Sequence, residues 1–137
     1  MAQATVLVAE DDNLIRTIFA EIVKGEGFDV VEADDGQRAF DLVTSRKIDM
    51  IISDMKMPVM SGFDLLLAVK KTHPEIPVTV ITGFNSEYRE DEALAAGADA
   101  YITKPFKVAD VAETLRRMYQ KINSTGDQSV VQGHVAG

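Results

Sequence analysis

The sequence predicts a doubly wound α/β domain, in which helices cover both faces of a five-stranded parallel sheet. Five short apolar runs alternate along the chain with five longer segments whose apolar residues recur at helical spacing. Runs such as residues 6–8 and 50–52 are apolar without interruption, as expected of strands that are buried on both faces. Because parallel strands need crossover connections, each intervening helix joins one strand to the next.

The strands and the first three helices follow from local signals. The predicted strands are short and mostly rich in β-branched side chains, and they cover residues 5–9, 28–33, 49–53, 77–82 and 99–103. The first helix begins at Asp12 or Asn13, ends at Gly25 or Gly27, and carries apolar Leu14, Ile15, Ile18, Phe19, Ile22 and Val23. The second begins at residues 35–36 and contains Ala39, Phe40, Leu42 and Val43. The third ends before His73, since the residue before a proline avoids helical geometry, and contains Phe63, Leu66, Leu67 and Val69.

Two further helices complete the predicted domain. The fourth begins at Asn85 or Ser86 and ends near residues 95–97. The fifth covers residues 107–122 and directs inward Val108, Val111, Leu115 and Met118. From residue 123 the sequence becomes polar and small, which predicts a flexible tail or the start of a linker. The predicted domain is therefore 1–122, with residues 123–137 outside it.

Composition excludes several classes of protein. A length of 137 residues suits one domain, and 46% apolar with 26% charged residues is ordinary for a globular protein. A net charge of −8 argues against nucleic acid as a direct partner, because nothing offsets repulsion from phosphate. The sequence has no cysteine, no apolar run near the roughly 20 residues of a membrane helix, and no visible export signal. We therefore expect a cytoplasmic protein without membrane contact.

Three predicted strands end in charged residues. The first runs into Glu10 and Asp11, the third ends beside Asp54, and the fifth runs into Lys104. The carboxyl ends of parallel strands meet at one edge of the sheet, where ligands bind in open α/β folds. The sequence therefore predicts a cation-dependent phosphoryl site at this edge.

These residues resemble the receiver domains of bacterial two-component response regulators. The resemblance covers residues 4 to 122 and rests on five elements in order, which are Glu10-Asp11, Asp54, Met57-Pro58 with Gly62, Thr82-Gly83, and Lys104-Pro105-Phe106. It implies a flavodoxin-like (βα)5 fold with strand order 2-1-3-4-5. It also implies that Asp54 accepts a phosphoryl group from a phosphohistidine of a sensor histidine kinase or histidine phosphotransfer protein. The modified domain would then engage a downstream target protein or a C-terminal effector domain.

Phosphoryl transfer to a carboxylate requires charge neutralisation, which Mg²⁺ supplies through oxygen ligands. We assign Asp11 and Asp54 as direct ligands, Glu10 as an acid acting mainly through bound water, and the Lys56 main-chain carbonyl as a further ligand. Clustered acids without a cation repel one another and gain proton affinity. The site is therefore expected to need Mg²⁺.

The resemblance also gives roles to residues of the last two strands. Lys104 would contact a phosphoryl oxygen, aimed by a cis peptide to Pro105, and Thr82 would donate its hydroxyl to another. Movement of Thr82 would let Tyr101 turn inward and reshape the surface around the fifth strand. The domain would assist its own phosphorylation and dephosphorylation without being a turnover enzyme.

Each residue also has an ordinary explanation when it is taken alone. Asp12 is better explained as a helix cap than as a metal ligand. Asp54 alone would suit a turn, Thr82 alone a β-former, and Tyr101 alone a half-buried strand aromatic. His73 and His134 are interpreted as surface or tail residues.

Two other functions share parts of this pattern. A haloacid-dehalogenase-like phosphatase also uses a strand-end Asp, Mg²⁺ and Lys, but it needs a second Asp where this chain has Lys56, and a cap insertion for which there is no room. A flavodoxin-like cofactor binder needs a phosphate-binding loop after the first strand, where this chain has residues 10–12, all acidic. Both functions are less well supported by the sequence.

Overall fold

The computed structural model describes residues 4–83 and 89–131, with side chains described as far as residue 123. One sheet holds five strands, β1 (Thr5–Ala9), β2 (Asp29–Ala33), β3 (Met50–Asp54), β4 (Val78–Thr82) and β5 (Ala100–Thr103). All four strand pairings are parallel, and the order is β2-β1-β3-β4-β5. The predicted fold class, strand count and strand order are therefore confirmed, and no strand boundary differs from its predicted position by more than one residue.

Five helices connect or follow these strands. They are α1 (Asn13–Gly25), α2 (Gly36–Ser45), α3 (Gly62–Thr72), α4 (Glu90–Ala95) and α5 (Val108–Val131). The first three begin at side-chain caps, because Asp12, Asp35 and Ser61 accept hydrogen bonds from main-chain N–H groups in the first turn at 2.7–3.0 Å. The predicted cap of α1 at Asp12 is confirmed. No helix within the described parts of the chain is long and apolar enough to cross a membrane.

Side chains point alternately to the two faces of the sheet along each strand, and this divides the core into two layers. One face of the sheet, with Leu7, Ile51 and Val80, packs against α2, α3 and α4. Residues of the opposite face, such as Val8 and Ile52, pack against α1 and α5. Successive side chains of a strand point to opposite faces, so a strand covered on both sides needs an unbroken apolar run. The inner strands have this pattern, which is why the sequence identified them.

The structure corrects three details. Helix α4 begins at Glu90, later than predicted, while Asn85 and Ser86 lie outside the described residues. Helix α5 continues past the predicted end at residue 122 to Val131, since an established helix elongates at little cost when no proline interrupts it. Val108 is 57% exposed rather than inward, because it lies in the first turn of α5, before the helix packs against the sheet. Whether residues 123–137 act as a tail or a linker stays a prediction.

Candidate functional site

The strand register brings the charged residues to one edge of the sheet. In the pairing of β1 with β3, Val8 lies opposite Ile52. Ala9, the last residue of β1, lies opposite Ser53. The next residues along these strands are Glu10 and Asp54, which therefore lie side by side. The register of two strands thus determines the position of both acids.

Three acids form a cluster at this edge. Glu10, Asp11 and Asp54 each offer a carboxylate oxygen, and these oxygens lie within 4.8 Å of one another. Glu10 is 1% exposed and Asp54 is 9% exposed, whereas Asp11 is open to solvent. The structure thus brings together the three acids that the sequence predicted as metal ligands. A ligand can approach them from the exposed side of Asp11.

Lys104 reaches the same cluster from the end of β5. Its Nζ lies 3.2 Å from Glu10 Oε1, to which it donates a hydrogen bond, and 3.5 Å from Asp54 Oδ1. The Lys104-Pro105 peptide is cis, as the resemblance implied. One cation therefore faces two buried carboxylates, which leaves the cluster with an excess of negative charge.

Burial and neighbouring negative charge shift Glu10 and Asp54 toward their protonated forms. Burial, reinforced by the Asp54 charge, raises the pKa of Glu10 to about 7, although the Asp12 N–H and Lys104 oppose this shift. Burial also raises the pKa of Asp54, where the Asp11 charge adds to the effect and Lys104 opposes it. Burial lowers the pKa of Lys104, but Asp54 and Glu10 outweigh it and raise that pKa overall. The lysine therefore stays charged.

The donor set fits a magnesium ion. Mg²⁺ prefers oxygen ligands at about 2.1 Å in an octahedron, in which ligand oxygens lie about 3–4 Å apart. Oxygens within 4.8 Å of one another reach such spacings with small side-chain movements. Burial is the main cause of the raised pKa of Glu10 and of Asp54, so both ionised carboxylates would be stabilised by additional positive charge. When bound, Mg²⁺ would supply that charge and orient a phosphoryl oxygen.

Gly62 allows helix α3 to begin directly against the end of β3. A Cβ atom at this position would overlap the main-chain oxygen of Asp54 and crowd Met55. The Gly62 N–H also donates a 2.9 Å hydrogen bond to the Met55 carbonyl. The loop between them contains Val59 at a φ of +70°, a left-handed conformation that is rare for a β-branched residue. A tight turn, closed by a glycine, thus holds the main chain of Asp54.

We expect Gly62→Ala to lower the free energy of unfolding by about 3 kcal/mol, the cost of forcing a methyl group into a filled space. Urea unfolding of the purified variant measures this change. Gly25→Ala is the matched control, because an added Cβ there would meet no atom within 4 Å. Equal stability of the two variants would contradict the close packing of Gly62 against β3.

The remaining predicted site residues lie where the strand order requires. Thr82 ends β4, is 1% exposed, and has its hydroxyl 3.5 Å from the Gly83 carbonyl oxygen. Tyr101 in β5 is half-buried and packs against the core layer beneath α2, α3 and α4. Lys56 lies two residues after Asp54 and has an exposed side chain. The metal-ligand role of the Lys56 carbonyl and the switch role of Tyr101 stay predictions.

Arg16 is a residue at this edge that the sequence did not indicate. Its Nη1 donates a 2.9 Å hydrogen bond to the main-chain oxygen of Glu10, and its Nε lies 3.2 Å from Glu32 Oε1. In the sequence it is one polar residue in a turn of an amphipathic helix, where solvent exposure is the ordinary expectation. Its contacts with Glu10, which follows β1, and with Glu32 of β2 distinguish it.

Fold and site together define an α/β protein with an acid cluster suited to a cation at the carboxyl edge of its sheet. The family model for the response regulator receiver domain matches residues 6–116, which is most of the chain. The chain therefore belongs to the response regulator receiver family. It is the receiver domain of a two-component response regulator, and such domains are regulatory.

Individual relatives and solved structures agree with this family. The transcriptional regulatory protein PdtaR of Mycobacterium tuberculosis is 35% identical over 132 residues, covering 96% of this chain and 62% of PdtaR. The two-component response regulator ORR3 of Oryza sativa subsp. japonica is 34% identical over 119 residues, covering 84% of this chain and 91% of ORR3. The receiver domain of the Francisella response regulator 1452 is 30% identical with a TM-score of 0.80, covering 86% of this chain and 98% of that structure.

The chain spans only part of the length of some relatives, so the activities of those whole proteins are not assigned to it. The chain spans 62% of the length of PdtaR and 56% of the length of CpxR of Escherichia coli, which is 35% identical and matches 91% of this chain. The family match supports neither the phosphatase nor the cofactor-binding alternative. This chain shares the receiver domain family with these relatives. The transcriptional regulation named for PdtaR and CpxR is said of those proteins alone.

Proposed function

We propose that Asp54 is the phosphoacceptor of a phosphorylation-activated switch. The observation that carries this proposal is the position of Asp54 at the end of β3, 3.5 Å from the Lys104 ammonium and within 4.8 Å of the other two acids of the cluster. A carboxylate that attacks a phosphoryl group needs positive charge on both sides of the reacting atoms, because both reactants are anionic. Lys104 supplies that charge on one side, and the acid cluster would hold Mg²⁺ on the other.

In the proposed reaction an Asp54 carboxylate oxygen forms a bond to phosphorus. The bond from phosphorus to a histidine nitrogen of the donor protein breaks, and its electron pair stays on that nitrogen. Glu10 and Asp11 would hold Mg²⁺ together with Asp54 and the Lys56 carbonyl, with Glu10 acting mainly through water. Lys104 and Thr82 would contact the phosphoryl oxygens. Hydrolysis of the acyl phosphate, assisted by the same residues, would reset the switch.

The proposed partners follow from family membership. The donor would be a sensor histidine kinase or a histidine phosphotransfer protein. The recipient of the signal would be a downstream target protein or a C-terminal effector domain. A net charge of −8 supports the absence of direct nucleic-acid binding by this domain. A cytoplasmic location, where such kinases present their phosphohistidines, belongs to the same proposal.

The proposed function is tested by incubating the protein with acetyl phosphate and Mg²⁺. We expect one phosphoryl group per chain, detected by intact mass and mapped to the peptide that contains Asp54. Replacing Mg²⁺ with EDTA should abolish the product, because the crowded acids then lack their counter-charge. A phosphoryl group on any other residue, or equal labelling in EDTA, would refute the proposal.

Thr82 and Tyr101 would transmit the modification to the surface around β5. Thr82 lies beside β5, since it pairs with Thr103, and its hydroxyl makes a long 3.5 Å contact with the Gly83 carbonyl oxygen. A phosphoryl oxygen on Asp54 would offer this hydroxyl a stronger acceptor. Movement of Thr82 toward it would change the space next to Tyr101.

We expect Thr82→Val to uncouple the surface from the site. Beryllofluoride with Mg²⁺ should still bind at Asp54, but the shift of the Tyr101 ring resonances that we expect in the unsubstituted protein should be largely lost. Two-dimensional NMR measures both effects in one sample. Thr103→Val, an exposed neighbour in register with Thr82, is the matched control. A full Tyr101 response in Thr82→Val would contradict the coupling.

A further inference from the structure

Arg16 links three segments at the acidic edge of the sheet. Its Nη1 donates to the Glu10 main-chain oxygen at 2.9 Å, its Nε to Glu32 Oε1 at 3.2 Å, and its Nη2 to Asn13 Oδ1 at 2.6 Å. These partners lie directly after β1, in β2 and at the start of α1. The Arg16 side chain is only 18% exposed. Its guanidinium is therefore committed to holding this edge together.

The carbonyl that Arg16 contacts belongs to the peptide joining Glu10 to Asp11. This peptide unit is planar, so its orientation decides the directions in which the two acidic side chains leave the main chain. The N–H of Glu10 is fixed separately by a 3.0 Å hydrogen bond to the Ala33 carbonyl of β2. With Arg16 on the other side, the main chain of Glu10 is held through both its N–H and its C=O.

We propose that Arg16 is a positioning residue for the metal-binding acids. By fixing the Glu10 to Asp11 peptide, it keeps the carboxylates of these two residues directed toward Asp54. Arg16 contacts the main chain of Glu10 rather than its carboxylate, so it acts through Glu10 and Asp11. The inference rests on the proposed function, because it concerns Mg²⁺ at that cluster.

The shape of the guanidinium matters as much as its charge. Arginine presents its donors as a rigid planar fork, which allows one side chain to serve the three oxygen atoms found here. A lysine carries the same charge on a single nitrogen and cannot reproduce this arrangement. Arg16→Lys therefore separates geometry from charge, whereas Arg16→Gln removes both.

Isothermal titration of the full chain with MgCl₂ tests the inference. We expect Arg16→Gln to weaken Mg²⁺ binding about tenfold, the typical cost of losing a group that orients metal ligands. Arg16→Lys should weaken it nearly as much. Arg116→Gln is the matched control, because it also removes one ion-paired arginine, whose partner Glu26 lies 2.7 Å away between α1 and β2. The control should bind Mg²⁺ like the unsubstituted protein.

Phosphorylation kinetics give a second readout that damage to the fold would not reproduce. With acetyl phosphate, the Mg²⁺ concentration giving half the maximal rate should rise about tenfold in Arg16→Gln. The maximal rate at saturating Mg²⁺ should match that of the unsubstituted protein. If Arg16→Gln fails to fold, Glu32→Ala replaces it, since this change keeps the guanidinium and removes one of its hydrogen-bond acceptors. A smaller weakening of Mg²⁺ binding is then expected.

Three outcomes would overturn the inference. Equal Mg²⁺ affinity in the Arg16 variants and in Arg116→Gln would show that the peptide needs no support from the guanidinium. A lower maximal rate with an unchanged Mg²⁺ requirement would show a defect elsewhere. Absence of Mg²⁺ binding by the unsubstituted protein would remove the proposed function and this inference together, whereas the first two outcomes leave the proposed function intact.

Discussion

Asp54→Asn should abolish phosphorylation by acetyl phosphate and also raise the melting temperature of the metal-free protein. The amide keeps the size of the carboxylate but lacks the anionic oxygen that attacks phosphorus. Stability should rise because burial and the Asp11 charge make an ionised Asp54 costly in the folded state, as the raised pKa of Asp54 shows. Lys104 retains its hydrogen bond to Glu10 at 3.2 Å, so the variant leaves that ammonium paired.

The two effects have different measurements and a shared control. Intact mass after acetyl phosphate treatment reports the phosphoryl group, and thermal unfolding in EDTA reports stability. Asp12→Asn removes an equal charge from the same edge of the sheet, and asparagine caps helices as well as aspartate does. We expect this control to be phosphorylated normally. Phosphorylation of Asp54→Asn at the normal level would show that another residue is the acceptor.

The sequence was sufficient to predict the edge of the sheet on which the site lies. Apolar runs located β1, β3 and β5, and a charged residue ends or follows each of these strands. Parallel pairing then brings these charged residues to one edge, because it places the carboxyl ends of all strands together. The cluster of Glu10, Asp11 and Asp54 could therefore be predicted without knowledge of side-chain geometry.

Contacts between segments that are distant along the chain could not be predicted from the sequence. Arg16 has the sequence pattern of a solvent-facing helix residue, and its importance arises from where the Glu10 carbonyl lies after folding. The inward prediction for Val108 failed because helical periodicity gives a direction but not the point at which a helix meets the sheet. Similarly, polar composition after residue 122 predicted the end of α5, whereas the helix continues to Val131. Composition is weak evidence for a helix boundary.

Glu10 should make the metal-free protein less stable as the pH rises from about 4.5 to about 7. In the folded state its pKa is raised to about 7 from the ordinary value of 4.5, first by burial and then by the Asp54 charge. Between these two values the folded protein binds more protons than the unfolded chain, so raising the pH favours unfolding. This difference in pKa corresponds to a loss of about 3 kcal/mol in the free energy of unfolding when Glu10 is fully ionised. The raised pKa of Asp54 acts in the same direction.

Urea unfolding in EDTA at pH 5 and pH 7.5 measures this loss. Glu10→Gln should remove most of the difference between the two pH values, because a neutral amide does not titrate. Glu21→Gln is the control, since Glu21 has a 70% exposed side chain and should leave the difference unchanged. Saturating Mg²⁺ should restore stability at pH 7.5, because the ion binds the ionised acids of the folded state only. A pH dependence that persists in Glu10→Gln would mean that the buried carboxylate is not what couples proton binding to folding.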